Sequence, residues 1–383
     1  MKSVIEHLSN LICIPSPSFL SNRPIIDYAV HALHTSKWHS REMTYIDASG
    51  VEKVNLVAAP FAQSLDDSVV ELAFVCHTDT VPYSADWQQA LKAVVADGML
   101  HGCGACDVKG FLACLLTSIA ESDPTRFVDG LRLILTADEE IGCVGASNLI
   151  ASGFITPRRV VIGEPTSLHP ARAGKGYCLG EVTIFGEEAH SAHPQNGRSA
   201  IYDAARLITA IQEYGSQLAK EQHLFFSPNF TTLNIGTIQG GTAKNIVPGH
   251  CKFQVEWRPI PGQSADAIPA AITRIGEALR RVDPHFRWNL EILRQQAGFE
   301  SPVGCLLERS IEALTGRTAT SIPFGSEASL LAPIAQEVIV FGPGDMRTAH
   351  SSRECVPLTE LSEAVDCLRS LMTSGLFKYP TQQ

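Results

Sequence analysis

The stretch LRLILTADEEIG, residues 131–142, decides which fold to expect from this chain of 383 residues. Its mostly apolar first half predicts a strand buried on both faces, which is typical of a parallel sheet. The strand ends in three consecutive acids, Asp138, Glu139 and Glu140, and no Lys or Arg follows within the next fifteen residues. Adjacent negative charges repel one another, so this stretch requires positive charge nearby.

Two more apolar runs, ELAFVC at 71–76 and RVVIG at 159–163, predict strands of the same kind. Residues 109–122 and 144–153 have the composition of helices between these strands. Alternation of buried strands and helices predicts an α/β fold with a doubly wound, mostly parallel sheet.

The middle of the chain changes character. Strand-like stretches at 177–186, 231–240, 250–260 and 286–294 surround two amphipathic helices at 198–222 and 264–281. This order, β-α-β-β-α-β, predicts a ferredoxin-like module inserted into the first domain. We therefore expect residues 1–175 and 295–383 to form one domain and residues 176–294 the other. The first domain resumes with a helix at 302–314, a strand at 337–342 and a closing helix at 358–374.

Composition excludes several classes of partner. The formal net charge of −10 argues against nucleic acid and against an anionic membrane surface. The first eighteen residues lack the apolar core of a signal peptide, and no apolar run is long enough to span a membrane. Eleven cysteines, an odd number scattered through apolar runs, indicate reduced thiols and a cytoplasmic location. The pair Cys103 and Cys106 is a weak indication of a structural zinc.

Acids and histidines follow the predicted strands. In an open α/β sheet, ligands bind beyond the carboxyl ends of the strands. One acid at such a position is usually a solvated turn residue, but this set contains histidines and comes from distant parts of the chain. Mixed His and carboxylate ligands suit zinc or a similar divalent ion, and five ligands suit two ions that share a carboxylate. The candidate ligands are His77, Asp107, Glu140, Glu164 and His350.

Four motifs resemble one known family. They are HTDTVP (77–82), GCGACDVKG (102–110), TADEEIG (136–142) and IGEPT (162–166). In this order they resemble the co-catalytic zinc amidohydrolases and peptidases, which include acetylornithine deacetylase, succinyl-diaminopimelate desuccinylase, aminoacylase and the glutamate carboxypeptidases. The resemblance covers nearly the whole chain, and it implies a catalytic dimetal domain and an inserted lid and dimerisation domain. It also implies a homodimer.

The resemblance implies a role for each site residue. His77, Asp107 and Glu164 would hold one ion, and Asp107, Glu140 and His350 the other. Glu139 would be the general base and acid, and Asp79 would orient His77. His190, in preference to the nearby His193, would stabilise the oxyanion. The ions would be Zn²⁺ or Co²⁺, since both suit these ligands.

The expected substrate depends on individual residues that resemble positions in this family. Asn245 and Arg258 resemble family positions that hold a substrate carboxylate, although a solvated arginine at a strand end is the alternative. The sequence Ser326-Glu327-Ala328 resembles the acetylornithine and acetylcitrulline branch. There Glu327 would contact the substrate, or would simply cap a helix.

These features predict hydrolysis of N²-acetyl-L-ornithine to L-ornithine and acetate, a step of arginine biosynthesis. The alternatives are N-acetylcitrulline or another N-acyl amino acid, a dipeptide, or an inactive sensor of amino-acid derivatives.

Overall fold

The computed structural model describes residues 2–67 and 69–373. The predicted closing helix is present, and residue 374, its expected last residue, lies outside this part of the chain. The helices of the described residues are α1 (Val4–Ile12), α2 (Arg23–Thr35), α3 (Lys109–Glu121), α4 (Val144–Ala151), α5 (Ala200–Leu218), α6 (Ala267–Val282), α7 (Leu306–Thr315), α8 (Ala328–Leu331) and α9 (Leu358–Thr373).

Their strands are β1 (Trp38–Ile46), β2 (Glu52–Pro60), β3 (Val69–His77), β4 (Val94–Ala96), β5 (Met99–His101), β6 (Leu131–Thr136), β7 (Thr156–Gly163), β8 (Ala171–Gly174), β9 (Tyr177–Phe185), β10 (Ala189–His190), β11 (Thr232–Gly240), β12 (Ile246–Val247), β13 (His250–Arg258), β14 (Arg287–Gln296), β15 (Phe299–Glu300), β16 (Thr320–Ile322), β17 (Glu337–Phe341) and β18 (Cys355–Pro357). The chain divides into two compact units. Unit 1 comprises residues 1–173, 300–320 and 326–383, and unit 2 comprises residues 174–299 and 321–325.

The large sheet has the strand order β1-β2-β6-β3-β7-β17-β8-β15, with β16 beside β8. Four successive strands, β6, β3, β7 and β17, pair in parallel. The register places His77 opposite Thr136, and Phe341 opposite Gly163, so these strands end at one edge. The predicted α/β class with a mostly parallel sheet is confirmed.

Close helix packing covers this sheet. Helix α3 is buried along most of its length and shares one apolar core with α1, α2 and α9. A Cβ atom at Gly163 would lie 2.1 Å from Cδ1 of Phe111 in α3. Glycine at the end of β7 therefore lets the helix lie directly against the strand that leads into the site.

The antiparallel pair β1 and β2 was not anticipated from the sequence. It joins the sheet through β2, which runs antiparallel to β6. Strand β2 is buried from Lys53 to Pro60. A lysine within this buried strand is costly unless its ammonium group is paired, and its partner proves to be one of the three acids.

Unit 2 has the predicted module. Strands β11, β13, β9 and β14 form an antiparallel sheet in that order, with α5 and α6 in the connections. Side chains alternate between buried and more exposed positions along β9 and β13. This alternation indicates that one face of the sheet is covered, and the core of this unit includes apolar residues of both helices. None of the described helices combines the length and apolar character required to cross a membrane.

Candidate metal centre

Two groups of metal-ligating side chains meet at the edge where the parallel strands end. His77, Asp107 and Glu164 form one group, and Asp107, Glu140 and His350 form the other. Within each group the ligand atoms lie within 4.8 Å of one another. The structure thus brings all five sequence-predicted ligands together from separate segments of the chain, with Asp107 common to both groups.

The carboxylate of Asp107 lies between two imidazole rings. Its Oδ1 is 3.2 Å from Nε2 of His77, and its Oδ2 is 3.1 Å from Nε2 of His350. Glu164 Oε1 lies 4.0 Å from the same nitrogen of His77, and Glu140 Oε1 lies 3.3 Å from that of His350. Each oxygen of Asp107 therefore faces a different half of the site, as a bridging carboxylate requires.

The electrostatics of the site favour bound cations. Hydrogen bonds with Asp107 and Glu140 raise the pKa of His350 to about 10. Burial alone would lower the pKa of His77, but Asp107 and Asp79 raise it well above its usual value. Burial, together with Asp107, raises the pKa of Glu164. This concentration of carboxylates attracts positive charge, and the nitrogen and oxygen donors fit a pair of divalent ions.

The two glutamates of the acid triplet are held by Asp79. Its carboxylate accepts the backbone N–H of Glu139 at 3.0 Å and that of Glu140 at 3.2 Å. It also accepts the hydroxyl of Ser18 at 2.7 Å. Nδ1 of His77 lies 3.0 Å from the backbone oxygen of Asp79 and 3.6 Å from its Oδ1. The contact between Asp79 and His77 therefore runs chiefly through a carbonyl, while the carboxylate anchors the glutamates.

Asp138 has a partner that sequence reasoning missed. Its Oδ1 lies 2.7 Å from Nζ of Lys53, and both side chains are 1% exposed. Its Oδ2 accepts the hydroxyl of Tyr45 at 2.9 Å. Lys53 also donates to the backbone oxygens of Ser18 and Leu20. A protein ammonium group thus offsets the first acid, and the signal for it was a lysine inside the apolar strand VEKVNLVAAP.

Glu354 is a second residue that the sequence did not indicate. One of its oxygens accepts the backbone N–H groups of Cys106 and Asp107, both at 3.1 Å, and the other accepts that of Gly104 at 3.0 Å. Glu354 is 3% exposed and lies four positions after His350. One carboxylate therefore ties the segment of Asp107 to the segment of His350.

Cys103 and Cys106 are both buried. Sγ of Cys106 lies 3.6 Å from Oε1 of Glu354 and 3.6 Å from Oγ1 of Thr348. Among residues 2–67 and 69–373, neither cysteine belongs to a group of three side chains able to hold a metal.

The carboxyl group of Glu139 is buried beside the ligand groups. It is 7% exposed, and burial raises its pKa to about 8, with Glu140, Glu327 and Asp79 acting in the same direction and His77 opposing them. A carboxylate with a pKa near the working pH can both accept and release a proton. The three acids therefore have different surroundings. Asp138 forms an ion pair with Lys53, Glu139 is buried, and Glu140 contacts His350.

His190 and Asn245 lie close together in unit 2. The strands β10 and β12 pair, with His190 opposite Ile246, and the backbone oxygen of Asn245 accepts the N–H of Ser191 at 3.0 Å. His190 is exposed, and its Nδ1 accepts the backbone N–H of Ala192 at 3.0 Å. An acceptor Nδ1 leaves the ring proton on Nε2, so His190 can donate a hydrogen bond outward.

Arg258 ends β13 in unit 2. Its Nε donates to Glu256 at 2.7 Å, and its guanidinium group lies 4.4 Å from the ring centroid of Tyr177. The guanidinium group of Arg294 lies 4.3 Å from the same centroid. Stacking on the ring orients Arg258, whose side chain remains 26% exposed.

Glu327 precedes α8 in unit 1 but does not cap it through its side chain. The residue has no exposed surface, and burial raises its pKa to about 7. The structure therefore places this carboxyl group in the interior of the unit.

The fold and the paired ligand groups agree with the family comparison. The chain belongs to peptidase family M20/M25/M40, whose model matches residues 73–374. It is accordingly a metallohydrolase that acts on amide bonds.

Individual relatives are named more specifically. The chain is 40% identical over 355 residues to an acetylornithine deacetylase from Myxococcus xanthus, and the match covers 92% of each chain. The solved structure of aminopeptidase PepT from Bacillus cereus has the same fold, with a TM-score of 0.77 over 97% of each chain at 22% identity. A Bacillus subtilis structure described as a dinuclear metal-binding peptidase of family M20 has a TM-score of 0.69 over 97% of each chain at 14% identity.

Proposed function

We propose that this protein removes the acetyl group from N²-acetyl-L-ornithine to give L-ornithine and acetate. The observation that carries the proposal is the 40% identity to the Myxococcus xanthus acetylornithine deacetylase across 92% of both chains. The sequence Ser326-Glu327-Ala328, which resembles the same branch, supports it.

The residues that would hold the two ions are those of the paired groups. His77 and Glu164 would hold one ion, Glu140 and His350 would hold the other, and Asp107, which belongs to both groups, would be shared between them. Zn²⁺ and Co²⁺ both accept these nitrogen and oxygen donors. When bound, such ions lower the pKa of a coordinated water molecule and polarise a carbonyl group.

The protein supplies the proton transfers. Glu139 takes a proton from the attacking water and passes it to the amine nitrogen that leaves, since its carboxylate is buried beside the ligand groups of the site. Asp79 keeps Glu139 in place through the backbone N–H. The Nε2–H of His190 donates a hydrogen bond to the oxyanion of the tetrahedral intermediate.

The carboxylate of the substrate is held by unit 2. Arg258 presents a guanidinium group that is oriented by Tyr177, and such a group binds a carboxylate through two parallel hydrogen bonds. Asn245, on an exposed segment of the same unit, would add an amide. The bound molecule is therefore an N-acyl amino acid.

A homodimer through unit 2 completes the proposal. Strand β11 forms an edge of its sheet, and Tyr202 and Ile238 are 76% and 56% exposed. An apolar surface beside an open strand edge is typical of an interface between subunits. Sedimentation at micromolar concentration tests this state, and a monomer there would contradict it.

The location is the cytoplasm, because all eleven cysteines are free and ten of them are buried.

The experiment compares kcat/KM for N-acetylornithine, N-acetylcitrulline and N-succinyl-diaminopimelate on protein loaded with zinc or cobalt. The proposal expects a preference for acetylornithine of about tenfold or more, which is about 1.4 kcal/mol of transition-state binding. A preference for acetylcitrulline would overturn the substrate and retain the chemistry. If none of these three substrates is hydrolysed, dipeptides are the next substrates to test. Inactivity towards dipeptides as well would favour an inactive sensor of amino-acid derivatives.

A further inference from the structure

Cys143 contacts Glu139 twice. Its backbone N–H donates to the backbone oxygen of Glu139 at 2.9 Å. Its Sγ lies 3.2 Å from Oε1 of the Glu139 carboxylate, within the range of a thiol hydrogen bond. Cys143 is fully buried at the start of α4, so this contact is shielded from water. A weak donor gains influence where water cannot compete for the acceptor.

The backbone at this position does not favour a cysteine. Cys143 has a φ of 56°, in the left-handed region, where a residue with a Cβ atom is strained and glycine is not. Glycine would satisfy the turn and would still provide the backbone N–H for Glu139. What the cysteine adds at this position is therefore its thiol, and the thiol points at the carboxylate.

The carboxylate has no other hydrogen bond within the part of the chain that the structure describes. Asp79 holds the backbone of Glu139, but that bond leaves the side-chain torsions undetermined. A general base must present its oxygen within hydrogen-bond distance of the proton that it takes. A donor fixed on one carboxylate oxygen settles the orientation of the other.

We propose that Cys143 is a positioning residue that orients Glu139 through an S–H···O hydrogen bond to Oε1. The other oxygen, Oε2, then exchanges the proton during amide hydrolysis. This inference rests on the proposed function, in which Glu139 is the general base.

The test uses three variants of the metal-loaded enzyme, C143S, C143A and C143G. Serine keeps a donor, alanine removes it and keeps the strained Cβ, and glycine removes both. The matched control is C114A, because Cys114 is another fully buried cysteine whose Sγ faces the backbone oxygen of Leu361 at 3.5 Å. For each variant we measure kcat, KM, metal content and Tm.

The alanine and glycine variants should lose about three- to tenfold in kcat, with KM and metal content unchanged. The serine variant and C114A should stay within about twofold of the wild-type kcat. The losses in the alanine and glycine variants should be alike even though their Tm values differ. A merely structural role would instead make the loss of kcat follow the loss of Tm.

Three outcomes would overturn the inference. They are wild-type kcat in both C143A and C143G, a serine variant as impaired as the alanine variant, and a loss that follows Tm. The variant E139A separates this failure from failure of the proposed mechanism. If E139A keeps even about a tenth of wild-type kcat, the assignment of the base is wrong. If E139A is inactive and C143A is fully active, only the role of Cys143 is rejected.

Discussion

Replacing Lys53 by methionine should destabilise unit 1 strongly. Methionine keeps the length of the stem but removes the ammonium group 2.7 Å from Oδ1 of Asp138. Both side chains are 1% exposed, so water cannot take over the role of the lost partner. Asp138 would retain the hydroxyl of Tyr45 at 2.9 Å as its remaining side-chain partner among the described residues.

The expected loss is about 3–5 kcal/mol, the usual cost of leaving one member of a buried ion pair without its partner. For a unit of roughly 250 residues, each kcal/mol lowers Tm by about 2–4 °C. The apparent Tm of unit 1 should therefore fall by about 10 °C. An exposed control, Lys92→Met, should change stability by less than about 0.5 kcal/mol.

The loss of stability in the Lys53→Met variant should grow as the pH rises. Burial raises the pKa of Asp138 in the folded protein, whereas Lys53 and Tyr45 lower it. Without Lys53 this folded pKa rises further above the unfolded value, so the folded variant binds more protons than its unfolded chain. Stability of such a variant decreases with increasing pH, and it does so up to the folded pKa of Asp138.

Differential scanning calorimetry of wild type, K53M, D138N and K53M/D138N between about pH 4 and pH 8 measures these effects, because the dependence begins at the unfolded pKa of an aspartate. The double variant should recover much of the loss, because its neutral amide replaces an unpaired carboxylate. A loss below about 1 kcal/mol in K53M would show that the buried pair does not stabilise the acid triplet. If the loss of stability in K53M does not depend on pH, the unpaired carboxylate of Asp138 is not its cause.

Three further predictions concern other contacts. Glu354→Gln removes the negative charge that holds the Asp107 segment, so metal titration by calorimetry should show about tenfold weaker binding, and unchanged affinity would contradict this role. Arg258→Ala should raise KM for N-acyl amino acids by about tenfold at unchanged kcat, and an unchanged KM would remove Arg258 from the substrate site. Burial lowers the pKa of His7 to about 4, so stability present near pH 7 should be lost as pH falls through about 6.5 towards 4. In His7→Gln this dependence of Tm should be smaller than in wild type, and an equal dependence would point to other groups.

Local sequence patterns predicted the fold class and the metal ligands, but they did not predict the partners of the three acids. The order of the motifs and the strand pattern were enough to predict the α/β class, the inserted module and five candidate ligands. Three of those ligands, His77, Glu140 and Glu164, lie at or just after the ends of β3, β6 and β7, because parallel strands end together. Motifs and strand patterns are local features of the sequence, so they can be recognised without knowing the tertiary contacts.

The supporting contacts have no local signal of that kind. Lys53 and Asp138 are 85 positions apart, and they meet because β2 pairs with β6 in an antiparallel register that the sequence did not predict. Glu354 reaches Asp107 across 247 positions. Cys143 looks like an ordinary apolar residue in the sequence, and only its left-handed backbone turns the thiol towards Glu139. The sequence by itself therefore determined the fold class and the candidate metal-ligating residue types. The tertiary structure alone decided which charges are paired and which groups hold the reacting side chains, since such pairing depends on distances between segments that are remote in the chain.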